Sequence, residues 1–175
     1  MKIGLLLGSF DPPHIGHVAN AMYALNHGMD KVYVVPCWKN PTKENQTDFE
    51  HRFNMCYATF NDCSRILVFD DDKQIQSQNT YEYLNKAAYI KNSDNEYFII
   101  IGSDIDISTW YKGSWILNNF PVVKVPRMGY KDTEEFGIKC SSSAVRNALK
   151  YRQLMSPYLT YSVIKYIKHQ KLYGY

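Results

Sequence analysis

No run of apolar residues in this sequence approaches the ~18 that a membrane-spanning helix needs. Cysteine is sparse: Cys37, Cys56, Cys63 and Cys140 form no C-x-x-C pair and have no histidine at zinc-finger spacing. That pattern predicts reduced thiols in the cytoplasm and excludes a disulfide-stapled secreted module. Nine glycines and seven prolines, with no repeat and no low-complexity linker, exclude collagen-like and disordered chains. Charge of one sign is scarce too, at a net +3. So mild a balance suits a small anionic ligand and argues against a dedicated nucleic-acid binder. The opening Met1-Lys2-Ile3-Gly4-Leu5-Leu6-Leu7 starts like a secretory leader, but its apolar stretch stops at Gly8. Asp11-Pro12-Pro13-His14 then stands where a small-residue cleavage site would lie. A soluble, cytoplasmic chain without a membrane partner is the expectation.

What the 175 residues do hold is core material, 45% hydrophobic and 15% aromatic. A chain of this length removes about 70% of its unfolded surface from water, and nothing marks a boundary, so one domain over 1–175 is expected. Three apolar runs end in punctuation: Ile3 to Leu7 before Gly8, Lys31 to Val35 before Pro36, and Tyr97 to Ile101 before Gly102. Arg65 to Phe69 and Pro121 to Val125 read as two further strands. Between them, Ile15, Val18, Met22 and Leu25 recur at helical spacing, as do Phe49, Phe53, Cys56 and Phe60 behind a capping Asp48. Tyr81, Leu84, Ala88 and Tyr89 give another helix, and 112–119 a further one. Ser141 or Ser142 caps a short helix through Val145 and Leu149. Ser156-Pro157 is expected to open the last, with Val163, Ile164 and Ile167 inward. Alternating strands and helices predict an α/β, Rossmann-like, doubly wound parallel sheet with helices on both faces, plus a small C-terminal helical segment. Ligands of such sheets sit beyond the carboxyl ends of the strands.

The segment Gly8-Ser9-Phe10-Asp11-Pro12-Pro13-His14-Ile15-Gly16-His17 follows a buried strand and opens a helix. A turn of this kind presents backbone N–H groups to an anion. His14 and His17, three apart at the helix start, share a face and can donate to phosphate oxygens. Each histidine alone reads equally well as a polar turn residue. Zinc is disfavoured because no third ligand is evident.

This segment resembles the H-x-G-H signature of the nucleotidylyltransferase superfamily. In its full form, G-S-F-D-P-P-H-x-G-H, it is similar to the nicotinate or nicotinamide mononucleotide adenylyltransferases. The resemblance implies that Gly8, Ser9, Phe10 and Gly16 form the ATP phosphate site around His14 and His17. Pro41-Thr42-Lys43 resembles the family stretch that places a lysine over the phosphates, though a solvated Lys43 is the alternative. Arg52 and Met55 fit the helix that follows, where Arg52 otherwise reads as part of a wet helix face. Thr80-Tyr81-Glu82-Tyr83-Leu84 resembles T-Y-x-T-L, which implies that Thr80 and Tyr81 meet the mononucleotide. Tyr83 departs from the usual Thr, and Thr80 serves equally as a helix cap. Gly102-Ser103-Asp104 matches G-x-D, whose Asp contacts the nucleotide, with a helix cap again the alternative. Trp110 resembles the tryptophan that stacks on the nicotinic ring, and is nearly as good a core residue. Arg127 with Gly129-Tyr130 resembles R-P-G-Y, with Met128 replacing Pro. Cys140-Ser141-Ser142-Ser143-Ala144-Val145-Arg146 resembles I-S-S-T-x-I-R, which implies that Ser142, Ser143 and Arg146 hold the triphosphate.

The resemblance implies adenylyl transfer from ATP to nicotinate or nicotinamide mononucleotide. The nucleophilic phosphate is already anionic, so the absence of paired carboxylates or a Ser/His/Asp set is expected. His14, His17, Lys43 and Arg146 would be the catalytic charges, and Mg2+ would be carried by the ATP phosphates. Pantetheine-phosphate adenylyltransferases and cytidylyltransferases share H-x-G-H, and a non-catalytic nucleotide sensor on the same fold is the rival of another class. Such a sensor would be expected to lose His14 or His17. A class I aminoacyl-tRNA synthetase would need a K-M-S-K-S-type loop, which the sequence lacks. A homo-oligomer is compatible with the sequence, which does not fix the oligomeric state.

Overall fold

The computed structural model describes all residues except 41–42, 128–137, 139, 152 and 154–156. The described residues form one five-stranded sheet of β1 (Lys2–Gly8), β2 (Lys31–Pro36), β3 (Ile66–Val68), β4 (Glu96–Gly102) and β5 (Val122–Val125). Its order is β3-β2-β1-β4-β5 and every neighbouring pair is parallel. The three central strands, β2, β1 and β4, are apolar on both faces because both are covered. On one face Leu6, Val32, Val34 and Ile100 pack under α1 (Ile15–Asn26) and α2 (Phe49–Phe60). On the other, Ile3, Leu5, Ile99 and Ile101 pack under α4 (Thr80–Lys86), α5 (Ala88–Lys91) and α6 (Gly113–Asn119). The one-turn α3 (Asp72–Ile75) precedes α4. A third cluster joins Met55 of α2 to Val145 and Leu149 of α7 (Ser142–Lys150) and to Val163 and Ile167 of α8 (Tyr161–Gln170).

The expected doubly wound sheet is thus the observed one, with local corrections. Met22 is 38% exposed, because α1 turns Ala21, Ala24 and Leu25 inward instead. The expected helix around Tyr81 and Tyr89 breaks at Ala87, whose extended backbone separates α4 from α5. Asp48 precedes α2 but makes no side-chain cap. At α4 the capping oxygen comes from Asn79, which accepts from Glu82 N, and Thr80 is the first helical residue. Ser156 lies outside the described residues. Pro157 stands in a turn, and α8 starts at Tyr161 behind the Thr160 cap. Ser141 caps α7 as expected, accepting from Ala144 N.

The sheet also builds a cleft. The β1–β2 ladder runs out to Gly8↔Pro36, whereas the β1–β4 ladder stops at Leu5↔Ile99. Beyond that pair the ladder between β1 and β4 ends, at the point where the strand order reverses. This is where an open α/β sheet receives its ligand.

Candidate active site

Two cavities open at the carboxyl ends of the strands. One, of about 400 Å³, is lined by His14, His17, Lys43, Asp104, Arg127 and the serines 141–143. The other, of about 480 Å³, is lined by Gly8, Ser9, Thr80, Tyr83, Trp110 and Tyr111 among others. Trp110 borders both. Most of the sequence-predicted residues are thus sorted into two adjoining chambers, but Gly8 and Ser9, expected around His14 and His17, line the second, and Phe10, Tyr81 and Arg146 line neither.

His14 is the N-cap of α1, and its Nδ1 accepts the Gly16 N–H at 3.1 Å. His17 reaches back, its Nδ1 accepting the His14 N–H at 3.1 Å. Two histidines thus make the reciprocal cap usually built from a hydroxyl and a Glu or Gln. Because both Nδ1 atoms accept, each neutral ring carries its proton on Nε2. The rings lie 3.9 Å apart, centroid to centroid. A Cβ on residue 16 would meet the His14 ring at 3.0 Å, so a larger residue there would press on the cap. Burial and then the Arg127 charge lower the His14 pKa to about 4. Burial, with the charges of His14, Lys43 and Arg127 behind it, holds His17 well below its ordinary value. Both rings are neutral N–H donors in a cationic setting.

Phe10 is 1% exposed and lines neither chamber. Its backbone sits at φ 48°, and its ring packs 4.8 Å from that of His17. A left-handed phenylalanine costs on the order of 1 kcal/mol or more, offset here by a ring that backs His17. Lys43 lines the chamber of His14 and His17, with its pKa lowered by burial and by Arg146. Its expected neighbours Pro41 and Thr42 lie outside the described residues.

Asp104 forms an ion pair with Arg127 rather than capping a helix. Its Oδ1 is buried and, among the described residues, has no hydrogen-bond partner. Arg127 also donates to Cys140 O at 3.1 Å. Arg127 lines the chamber of His14 and His17 and not the one lined by Thr80, where the mononucleotide was expected to meet it. Met128, Gly129 and Tyr130 lie outside the described residues. Ser142 Oγ donates to Pro12 O at 2.9 Å and Arg146 to Asp11 O at 2.6 Å, which clamps the start of α7 onto the β1–α1 loop. Arg146 also donates to Ser143 Oγ at 3.2 Å. Tyr81 lines neither chamber; its ring meets Tyr111 and Trp115 edge-on.

Arg52 overturns its sequence reading. It is 1% exposed and donates to four carbonyls: Thr47 O at 2.7 Å, Ser9 O at 2.9 Å, and Cys37 O and Trp38 O at 2.8 Å each. Among the described residues no carboxylate pairs with it. This guanidinium sews the β1–α1 loop to the β2–α2 loop, and its charge stays unneutralised behind the site. Asp11 lies inside the first signature, and Leu172-Tyr173-Gly174 resembles the end of the family's closing helix, but neither segment announces its partners, which lie far away along the chain.

A doubly wound parallel sheet with two adjoining cavities at its switch point is the frame of a nucleotidyltransferase-like α/β protein, and the sequence model of the cytidylyltransferase-like family matches residues 5–148. A Myxococcus xanthus protein named "Probable nicotinate-nucleotide adenylyltransferase" is 31% identical over 182 residues, 99% of this chain and 95% of its own. One of the same name from Sulfurovum is 30% identical, covering 97% and 96%. The chain belongs to the nicotinate-nucleotide adenylyltransferase family of cytidylyltransferase-like proteins. In fold it is also similar to the Plasmodium falciparum nicotinic acid mononucleotide adenylyltransferase complexed with NaAD, with a TM-score of 0.73 at 24% identity, covering 98% of this chain and 97% of that one.

Proposed function

We propose that the chain joins nicotinate mononucleotide to ATP. A phosphate oxygen of the mononucleotide attacks the α-phosphorus, the bond from that phosphorus to the bridging oxygen of the β-phosphate breaks, and pyrophosphate leaves with the electron pair. The dinucleotide is the other product. The observation that carries this reading is the reciprocal His14–His17 cap, which leaves two Nε2–H donors in one chamber with Lys43 and Arg127. A nucleophile already anionic at neutral pH needs no general base, so the work is positioning and charge stabilisation.

In this reading the triphosphate lies across His14, His17, Lys43 and the start of α7, with Ser142 and Ser143 facing it. Arg146 holds the Asp11 carbonyl and adds positive charge beside Lys43. Asp104 accepts a ribose hydroxyl through its unpartnered oxygen. Magnesium arrives as part of the Mg·ATP substrate. The mononucleotide takes the second chamber, with Thr80 at the start of α4 beside it and Trp110 against the pyridine ring; Tyr81 stands behind, its ring against Tyr111 of the chamber wall. The relatives' names favour the acid over the amide.

Pyrophosphate release tests this reading, with ATP paired in turn with nicotinate mononucleotide, nicotinamide mononucleotide and 4′-phosphopantetheine. The acid should be the preferred partner. Preference for phosphopantetheine, or no release with any of the three, would sink it.

A further inference from the structure

The last turn of the chain, Leu172–Gly174, reaches the first signature. The Tyr173 phenol donates to Asp11 Oδ1 at 2.6 Å across 162 residues of sequence. Asp11 is 1% exposed. Its other carboxylate oxygen accepts the Thr47 N–H at 3.2 Å, and its carbonyl accepts Arg146 at 2.6 Å. Asp11 is therefore the node where three segments meet. These are the loop that delivers His14, the loop that carries Lys43, and the helix that carries Ser143 and Arg146.

Tyr173 is built for this contact. Its backbone lies at φ 57°, a conformation a tyrosine adopts only where its surroundings compensate. Its ring packs with Leu172 and Tyr175 onto the cluster of Met55, Val145, Leu149, Val163 and Ile167, so the hydroxyl is held at the end of a fixed lever. Burial and the Asp11 charge push the phenol well above its ordinary pKa, which keeps it a donor.

We propose that Tyr173 is a positioning residue for the reaction: its hydroxyl fixes Asp11, and through Asp11 the spacing of the His14 loop, Lys43 and Arg146. The inference rests on the adenylyl-transfer reading. It also gives one of the fifteen tyrosines a task that neither stacking nor core packing supplies.

Steady-state kinetics of Tyr173→Phe, Asp11→Asn and the double variant test it, with thermal midpoints measured alongside. Tyr173→Phe keeps the ring and removes one oxygen, so it should fold. Its kcat is expected to fall between about tenfold and a hundredfold, with both KM values moving less than about threefold, as expected when reacting groups are misplaced rather than unbound. The same change made on top of Asp11→Asn should cost little more, since the two act as one unit. Tyr161→Phe, at a position 80% exposed, is the control and should match the wild type. Wild-type turnover by Tyr173→Phe, a loss carried by KM alone, a loss explained by the unfolded fraction, or losses that simply multiply would each overturn the inference. A wild-type chain that forms no dinucleotide overturns the parent reading first, so the two failures are distinguishable.

Discussion

His14 and His17 hold each other in place: each offers its Nδ1 to a backbone N–H, at Gly16 and at His14 respectively, both at 3.1 Å. The pair spends one nitrogen per ring on structure and leaves the other for chemistry.

That arrangement has a pH signature. His14 titrates near 4 in the fold, against about 6.5 when unfolded. As pH falls below 6.5 the unfolded chain takes up the proton first, so stability is complete above 6.5 and is lost between 6.5 and about 4. The loss is on the order of 3 kcal/mol for this ring, and His17 adds to it in the same direction. Urea unfolding at pH 7.5, 5.5 and 4 should show this slope, and His14→Gln should flatten it. Phosphate charge opposes the downward shift, so ATP binding near pH 6 should take up protons, measurable as a buffer-dependent heat.

Arg52→Lys keeps the charge but cannot reach four carbonyls in two loops. Each buried acceptor left bare costs about 1–3 kcal/mol, so the variant should lose more than about 2 kcal/mol in urea unfolding. Turnover should fall further than the unfolded fraction explains, because the lost bonds join the loops that carry His14 and Lys43. An Arg52→Lys protein with wild-type stability and turnover would show that the stitch is ornamental.

Trp110→Ala should discriminate between the two chambers. Aromatic stacking on a heterocycle is worth about 1–3 kcal/mol, so KM for the mononucleotide should rise about tenfold or more, with KM for ATP moving much less. Equal effects on both would place Trp110 in the core rather than against the pyridine ring.

The three central strands were legible because each is an apolar run stopped by glycine or proline, at Leu7-Gly8, Val35-Pro36 and Ile101-Gly102, and a strand buried on both faces allows little else. Helix starts were less legible. Thr80 and Asn79 are both capable caps, and only the chain path decides that Asn79 turns back to Glu82 N. Ser156-Pro157 carried the stronger local signal, yet Thr160 opens the last helix. The H-x-G-H segment was readable because its residues are contiguous and act on one face. Arg52 was not, because its four acceptors are main-chain carbonyls that no side-chain pattern announces. Tyr173 was hidden by distance along the chain.

Adenylyl transfer at the two-histidine cradle is the central claim, and single-turnover transfer from α-³²P-labelled ATP to nicotinate mononucleotide tests it most directly. The wild type should place the label in the dinucleotide. His17→Ala should do so on the order of 100-fold more slowly or worse, as for loss of a preorganised donor, while still unfolding cooperatively. A folded His17→Ala protein that transfers label at near the wild-type rate would contradict it.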